Sequence, residues 1–145
     1  MIAQELMIGD WVYHSKHGNT QICVIDDKFG DDPEITIKSP NIKHKEGYEY
    51  GYCIDDLESV FPIQLTPEIL EKNLPKHRFS DSDFIEYEEW YSEDKRIRVI
   101  KDSSGYFAKV EDEELLSTLA MGTANFVHEW QHILNHGKIE KEIVL

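Results

Sequence analysis

The chain has 145 residues, and its 29 Asp and Glu against 15 Lys and Arg give a formal net charge of −14. Hydrophobic residues at 40% and aromatics at 11% are enough for a core, so the charge describes a solvated surface and not a disordered chain. The acidic balance argues against direct nucleic-acid binding and against an anionic membrane surface, and the length allows one domain or two very small ones. Acids outnumber bases in both halves, 14 to 6 over residues 1–73 and 15 to 9 over residues 74–145, so the charge belongs to no single tail. Cys23 and Cys53 lie in apolar, strand-like stretches without a Cys-x-x-Cys, which reads as two buried free thiols in a reducing cytoplasm. The N-terminal Met1 to Met7 lacks the basic and apolar regions of a secretory signal, and no apolar run approaches the ~18 residues of a membrane span. A cytoplasmic location is expected.

In chain order, Met7 to Tyr13 is an aromatic and β-branched run headed by Gly9-Asp10, and His17-Gly18-Asn19 turns it into Thr20 to Ile25, which predicts a hairpin. Asp26 to Pro33 reads as a polar loop, Glu34 to Lys38 as a short strand, and Ser39 to Gly47 as a loop carrying Lys43, His44 and Lys45. Tyr48 to Ile54 alternates aromatic and polar positions, and Leu57 to Ile63 adds an apolar run. Thr66-Pro67-Glu68 then starts a helix with a hydroxyl N-cap, Pro at N1 and an acid near the positive dipole end, and the helix runs about two turns to Asn73.

Leu74 to Ser82 has no periodicity and reads as a boundary or linker. Asp83 to Tyr91 predicts an acidic strand with Ile85, Tyr87 and Tyr91 on one face and Phe84 and Trp90 on the other. Arg96 to Lys101, the turn Asp102-Ser103-Ser104-Gly105 and Tyr106 to Val110 predict the clearest hairpin. Residues 111–116 fit either a loop entering a strand or a helical turn. A helix is expected from about Ala124 to Asn135, closed by His136 and Gly137 with Gly at the C′ position, and Lys138 to Leu145 is expected as a final strand.

The one catalytic-looking motif is His128-Glu129-Trp130-Gln131-His132, an H-E-x-x-H inside a predicted helix, where i and i+4 place two imidazoles on one face with Glu129 as general base for a zinc-bound water. The chain leaves little room downstream for a third ligand, so Glu140, Glu142, His14, His17 or His44 would have to serve. At about 100° per residue, Phe126, Val127, Ile133 and Leu134 cluster around Trp130, which turns His128 and His132 away from the core stripe and toward solvent. A strip of His128, His132 and His136 could instead contact a partner or bind adventitious metal. Lys95-Arg96-x-Arg98 is the densest basic cluster, and its close acids predict a paired surface in place of a phosphate site. From Asp81 to Asp94 there are acids and no base, which offers Asp81, Asp83, Glu86, Glu88 and Glu89 as candidate contacts to a basic partner.

Three segments carry a resemblance: Ile8-Gly9-Asp10-Trp11-Val12 at the start, Pro62-Ile63-Gln64-Leu65-Thr66-Pro67-Glu68-Ile69-Leu70-Glu71-Lys72-Asn73 in the middle, and Phe126 to Leu134 with Lys141-Glu142-Ile143 at the end. Together they resemble a family of small uncharacterised proteins of Bacteroidales, their mobile elements and phages. That family accepts other residues where His132 stands, so the resemblance implies no zinc pair, and Trp130 takes the core role of the family's Leu. It implies a phage or mobile-element accessory protein and brings no activity with it.

The resulting expectation is an α+β fold: an N-terminal SH3-like small β-barrel with a terminal short helix over 1–73, then a C-terminal sheet over 74–145 packed by one amphipathic helix, the two parts forming either two domains or one continuous one. The function expected is that of a non-enzymatic binding protein, without cofactor or metal, that engages a host or phage protein or sequesters a small host ligand. The alternatives are a zinc-dependent hydrolase using His128, His132 and Glu129, and an acidic mimic of nucleic acid built on the Asp81 to Asp94 stretch.

Overall fold

A computed structural model describes residues 6–26, 33–81 and 86–145. The fold is α+β, with two antiparallel five-stranded sheets and, among the described residues, two α-helices. The chain divides into two compact units, Met1–Ile63 and Gln64–Leu145, so the division falls at Ile63 and not at Asn73. Among the described residues no helix is long and apolar enough to cross a membrane.

In the first unit, β1 (Trp11–His14), β2 (Gly18–Asp26), β3 (Glu34–Ser39), β4 (Gly51–Asp56) and β5 (Val60–Pro62) are ordered β4-β3-β2-β1-β5, with a 3-10 turn over Leu57–Ser59 leading into β5. Cross-strand partners share a face, so the register puts Val12, Ile22, Ile35 and Ile37 on one side, where they meet Leu6, Ile42, Leu57 and Val60 in a single apolar cluster. This inner side is curved. His14 on β1 and Asp55 on β4 are three positions apart in the sheet, about 14 Å if it were flat, yet His14 Nε2 and Asp55 Oδ2 are 3.0 Å apart. A register shift at Cys23, between Ile22 and Val24, is the bulge that bends β2. Cys23 and Cys53 are free, and each is half-buried, less enclosed than their apolar neighbours suggest.

In the second unit, α1 (Pro67–Asn73) starts as expected: Thr66 Oγ1 accepts the Ile69 N–H at 3.3 Å, and Pro67 occupies the first turn. A meander follows: β6 (Lys76–Asp81), β7 (Glu86–Tyr91), β8 (Ile97–Asp102), β9 (Gly105–Glu111) and β10 (Thr118–Thr123), in the order β10-β9-β8-β7-β6. The stretch expected as a linker is therefore a strand. Its polarity, Lys76-His77-Arg78, is that of an edge strand, where charge protects an unpaired ladder. Residues 83–85 of the expected acidic strand lie outside the described residues, and residues 112–117 are a turn before β10.

The helix α2 (Val127–His136) covers one face of this sheet. Register places Trp90, Val99 and Ala108 opposite one another with Gly122 beyond them, and a Cβ at Gly122 would lie 3.6 Å from the Ile133 side chain, so this is the face beneath α2. Trp90 and Trp130 are fully buried, each removing about 200 Å² from water, or about 5 kcal/mol of gross hydrophobic stabilisation. Segment 64–65 joins the same unit through the Gln64 and Phe126 bridge and the Leu65 N–H to Asn125 carbonyl bond at 2.9 Å, which is why the division precedes α1.

The end of α2 corrects two expectations. The helix closes in a Schellman motif, Ile139 N–H to Leu134 carbonyl at 2.9 Å and Lys138 N–H to Asn135 carbonyl at 3.0 Å, so the left-handed C′ residue is Lys138, at φ 57°, and not Gly137. Gly137 is required for a different reason: a Cβ there would lie 2.6 Å from the Val110 side chain. Beyond it, Lys138 to Leu145 form no strand. The tail is held by a side chain instead, with Asn73 Nδ2 donating to the Ile69 and Val144 carbonyls at 2.7 Å and Asn73 Oδ1 accepting the Val144 N–H at 2.8 Å.

Two glycine-related substitutions separate these roles. Lys138→Gly is expected to raise stability by about 1 kcal/mol by relieving the left-handed backbone, and Gly137→Ala to lower it by about 1–3 kcal/mol through overpacking against Val110, both read from urea unfolding midpoints.

Candidate functional site

The H-E-x-x-H segment occupies the first turns of α2. Val127, Trp130, Ile133 and Leu134 are buried as the periodicity predicts, but His128 is only 6% exposed, contrary to the expectation that both histidines face solvent. Phe126 is the N-cap, with extended backbone at φ −123°, and not a member of the helical stripe, and its ring lies nearly parallel to the His128 ring at 5.9 Å between centroids. His132 is half-buried, edge-on to His128 at 5.7 Å between ring centroids, while exposed His136 donates Nδ1–H to the His132 carbonyl at 2.9 Å. The Glu129 carboxylate accepts the Asn125 N–H at 3.2 Å, an N-terminal capping role. Among the described residues no group of three or more His, Cys, Asp or Glu could hold a metal ion. Of the upstream histidines, His14 bonds Asp55, His17 stacks on His14 at 4.8 Å, and His44 Nδ1–H donates to the Ile42 carbonyl at 2.7 Å.

The acidic stretch is divided by strand alternation. Glu86 is exposed and pairs in register with Asp81, whose side chain lies outside the described residues, as does all of Asp83. Glu88 accepts a bond from His77 Nε2 at 3.1 Å, and with Glu86 it borders an open cleft of about 610 Å³ that Phe79, Tyr87 and Lys101 also line. Glu89 points to the other face and is 1% exposed, its two oxygens held by Arg78 Nε and Arg98 Nε, each at 2.5 Å. Glu89 is thus withdrawn from any surface offered to a basic partner. Asp94 shapes the β7–β8 turn by accepting from Ser92 Oγ at 2.6 Å and from the Arg96 N–H at 3.1 Å, and these bonds hold its carboxyl below the usual range.

Glu89 belongs to a charged lattice across the sheet face opposite α2. Arg98 also reaches Glu111 through Nη1 at 3.5 Å, Lys109 pairs with Glu111 at 2.9 Å, and the Arg78 guanidinium lies 5.7 Å from the centroid of the Tyr91 ring. Of the basic cluster, Arg98 is ion-paired as expected, while Lys95 and Arg96 have no ion pair among the described residues, and the second arginine on Glu89, Arg78, comes from the segment read as a linker. The signal that could have located it is Phe79 at alternating spacing within Lys76 to Asp81, a strand pattern under a polar composition.

A second cluster lies on the first unit, around an open cleft of about 380 Å³ lined by Lys43, His44, Lys45 and three tyrosines, Tyr48, Tyr50 and Tyr52. Tyr48 is 68% and Tyr52 65% exposed, and the Lys38 ammonium sits 5.2 Å from the centre of the Tyr50 ring. Gly51 sets the loop down on the sheet: a Cβ there would lie 2.5 Å from the Ile42 carbonyl oxygen and 2.6 Å from that of Lys43. Only glycine lets the lysine segment lie against β4, which brings the cations beside the tyrosines. In the sequence, Lys43, His44 and Lys45 read as loop and the tyrosines as strand, and no local pattern joins them.

No family model, no curated protein and no solved structure matches this chain.

Two outcomes follow from the charges. Removing one partner of the buried carboxylate by Arg98→Met is expected to cost about 3 kcal/mol in urea unfolding, far more than Lys43→Met at the exposed loop. The carboxyls of Glu111, lowered chiefly by the Lys109 bond, and of Asp55, lowered chiefly by the Asp56 N–H and then by His14, contribute stability that is complete above the ordinary carboxylate range and is lost as pH falls through their lowered values. The melting temperature is therefore expected to hold from neutral pH down to about 5 and to drop below about 4, with a shallower drop in Glu111→Gln.

Proposed function

We propose that the protein is a non-enzymatic binding protein of a phage or mobile element that works in the cytoplasm and engages a host protein through the tyrosine and lysine surface of an SH3-like N-terminal barrel. The observation that carries the reading is the cluster of Tyr48, Tyr50 and Tyr52 with Lys43 and Lys45 around one open cleft. Tyrosine supplies a large, amphipathic contact area at a low cost in side-chain entropy, and exposed aromatics beside cations suit a partner segment that presents acidic and apolar groups together. The barrel assignment is supported by the pairing of the unit's first and last strands, β1 with β5, and by the His14 to Asp55 bond across the curved inner side. The cytoplasmic assignment is supported by two free thiols, the state a reducing compartment maintains. The mobile-element setting rests on the resemblance carried by the start, middle and end segments. Acidic mimicry loses ground to this reading, because Glu89 is enclosed by two arginines and Glu88 is engaged by His77.

The test is affinity capture from host cells with the wild-type chain and with Tyr48→Ala/Tyr52→Ala, whose exposed positions leave the core intact. Capture of one host protein that falls about tenfold in the double variant, and weakens as salt rises above about 0.15 M, is the expected result. Capture insensitive to the tyrosines overturns the reading, and so does a blank capture; a blank capture together with a nucleotide-induced rise in melting temperature would point to a sequestered small ligand.

A further inference from the structure

On the face of the second sheet opposite α2, Arg78, Tyr91, Lys95 and Arg98 line a cavity of about 70 Å³. The four residues come from three consecutive strands and one turn. Arg78 and Arg98 are drawn together by the Glu89 carboxylate, which takes the Nε of each and offsets the repulsion between them. Tyr91 lies opposite Arg98 in the β7–β8 register and beside the Arg78 guanidinium. Lys95 stands in the turn at φ 62°, fixed by its N–H to the Ser92 carbonyl at 2.9 Å and by the Ser92 and Asp94 bonds around it. The two arginine forks are thus set in place before any ligand arrives, and the turn fixes the backbone from which Lys95 reaches.

We propose that this cavity binds a phosphoryl group, either of free phosphate or of a small phosphomonoester. Charge selects that class. Three cations face the cavity; Glu89 offsets one, Asp94 in the turn that carries Lys95 offsets another, and Glu111 is matched by Lys109, which leaves a local charge of about +1 in a protein that is otherwise strongly acidic. A phosphoryl group at neutral pH carries about −1.5 to −2 and three acceptor oxygens, whereas a carboxylate carries one charge and two oxygens. Donors remain to meet those oxygens. Arg78 spends Nε on Glu89, Arg98 spends Nε and Nη1 on Glu89 and Glu111, and the remaining guanidinium nitrogens and the Lys95 ammonium have no ion-pair partner among the described residues. Guanidinium forks suit such oxygens in a bidentate manner. A cavity of about 70 Å³ holds one compact headgroup, so the remainder of any larger ligand lies outside.

The test is an amide NMR titration of the intact chain at constant ionic strength with inorganic phosphate, glycerol 3-phosphate and acetate in separate arms. Saturable shifts centred on Arg78, Tyr91, Lys95 and Arg98 are expected with both phosphoryl probes, with acetate at least about tenfold weaker. Tighter binding of glycerol 3-phosphate identifies the source as a phosphomonoester, and tighter binding of inorganic phosphate identifies it as the free ion. Lys95→Asn, which keeps a residue tolerant of the left-handed turn and leaves both Glu89 pairs in place, is expected to weaken phosphate about tenfold with an unchanged melting temperature. The proposal is overturned if no saturable shift appears at these residues, if acetate matches phosphate, or if Lys95→Asn binds as the wild type does. The tyrosine cleft lies on the other unit, so failure here leaves the reading of that surface untouched.

Discussion

The Glu89 carboxylate is the constraint on which the second unit depends. A carboxylate buried in a protein costs several kcal/mol unless its charge is matched and its lone pairs are filled, and Glu89 meets both conditions with Arg78 on one side and Arg98 on the other. Because those arginines sit on the two strands flanking β7, the carboxylate ties the edge strand β6 to the interior of the sheet. It also holds two cations together that would otherwise repel one another. The cationic cavity is a consequence of that arrangement: a negative charge inside the sheet makes a positive site on its face.

The first unit is organised by curvature. The bulge at Cys23 bends β2, the inner apolar cluster closes around Ile35 and Ile37, and the bond from His14 to Asp55 spans strands that a flat sheet would keep well apart. Curvature concentrates the aliphatic side chains within and sends Tyr52 and Ile54 outward, along with Tyr13 and Phe61. The outer face is richer in exposed aromatics than the charge balance of the chain suggests, and the Gly51 contact adds the lysine loop to it.

Strand positions were legible wherever the alternation was strong. The hairpins β1–β2 and β8–β9, the strand β3 and the capped helix α1 all lie within a few residues of where their patterns place them. The misreadings have local physical causes. Lys76 to Asp81 looked like a linker because edge strands are polar, and Lys138 to Leu145 looked like a strand because the satisfaction of its backbone by Asn73, far off in sequence, leaves no local signature. The burial of His128 is not visible on a helical wheel, which places side chains around one axis and takes no account of what the sheet and the residues before the helix lay over its polar face.

By itself the sequence determined the α+β composition, the antiparallel pairing of neighbouring strands, the buried stripe of α2 and the strongly acidic surface, since periodicity, capping and charge are properties of short segments. Only the tertiary structure decided which charges meet. Arg78, Glu89, Lys95 and Arg98 fall in separate elements, and their convergence depends on strand register, which no single segment encodes. The same is true of Tyr52 and Lys43, brought together because a missing Cβ at Gly51 lets two backbones touch.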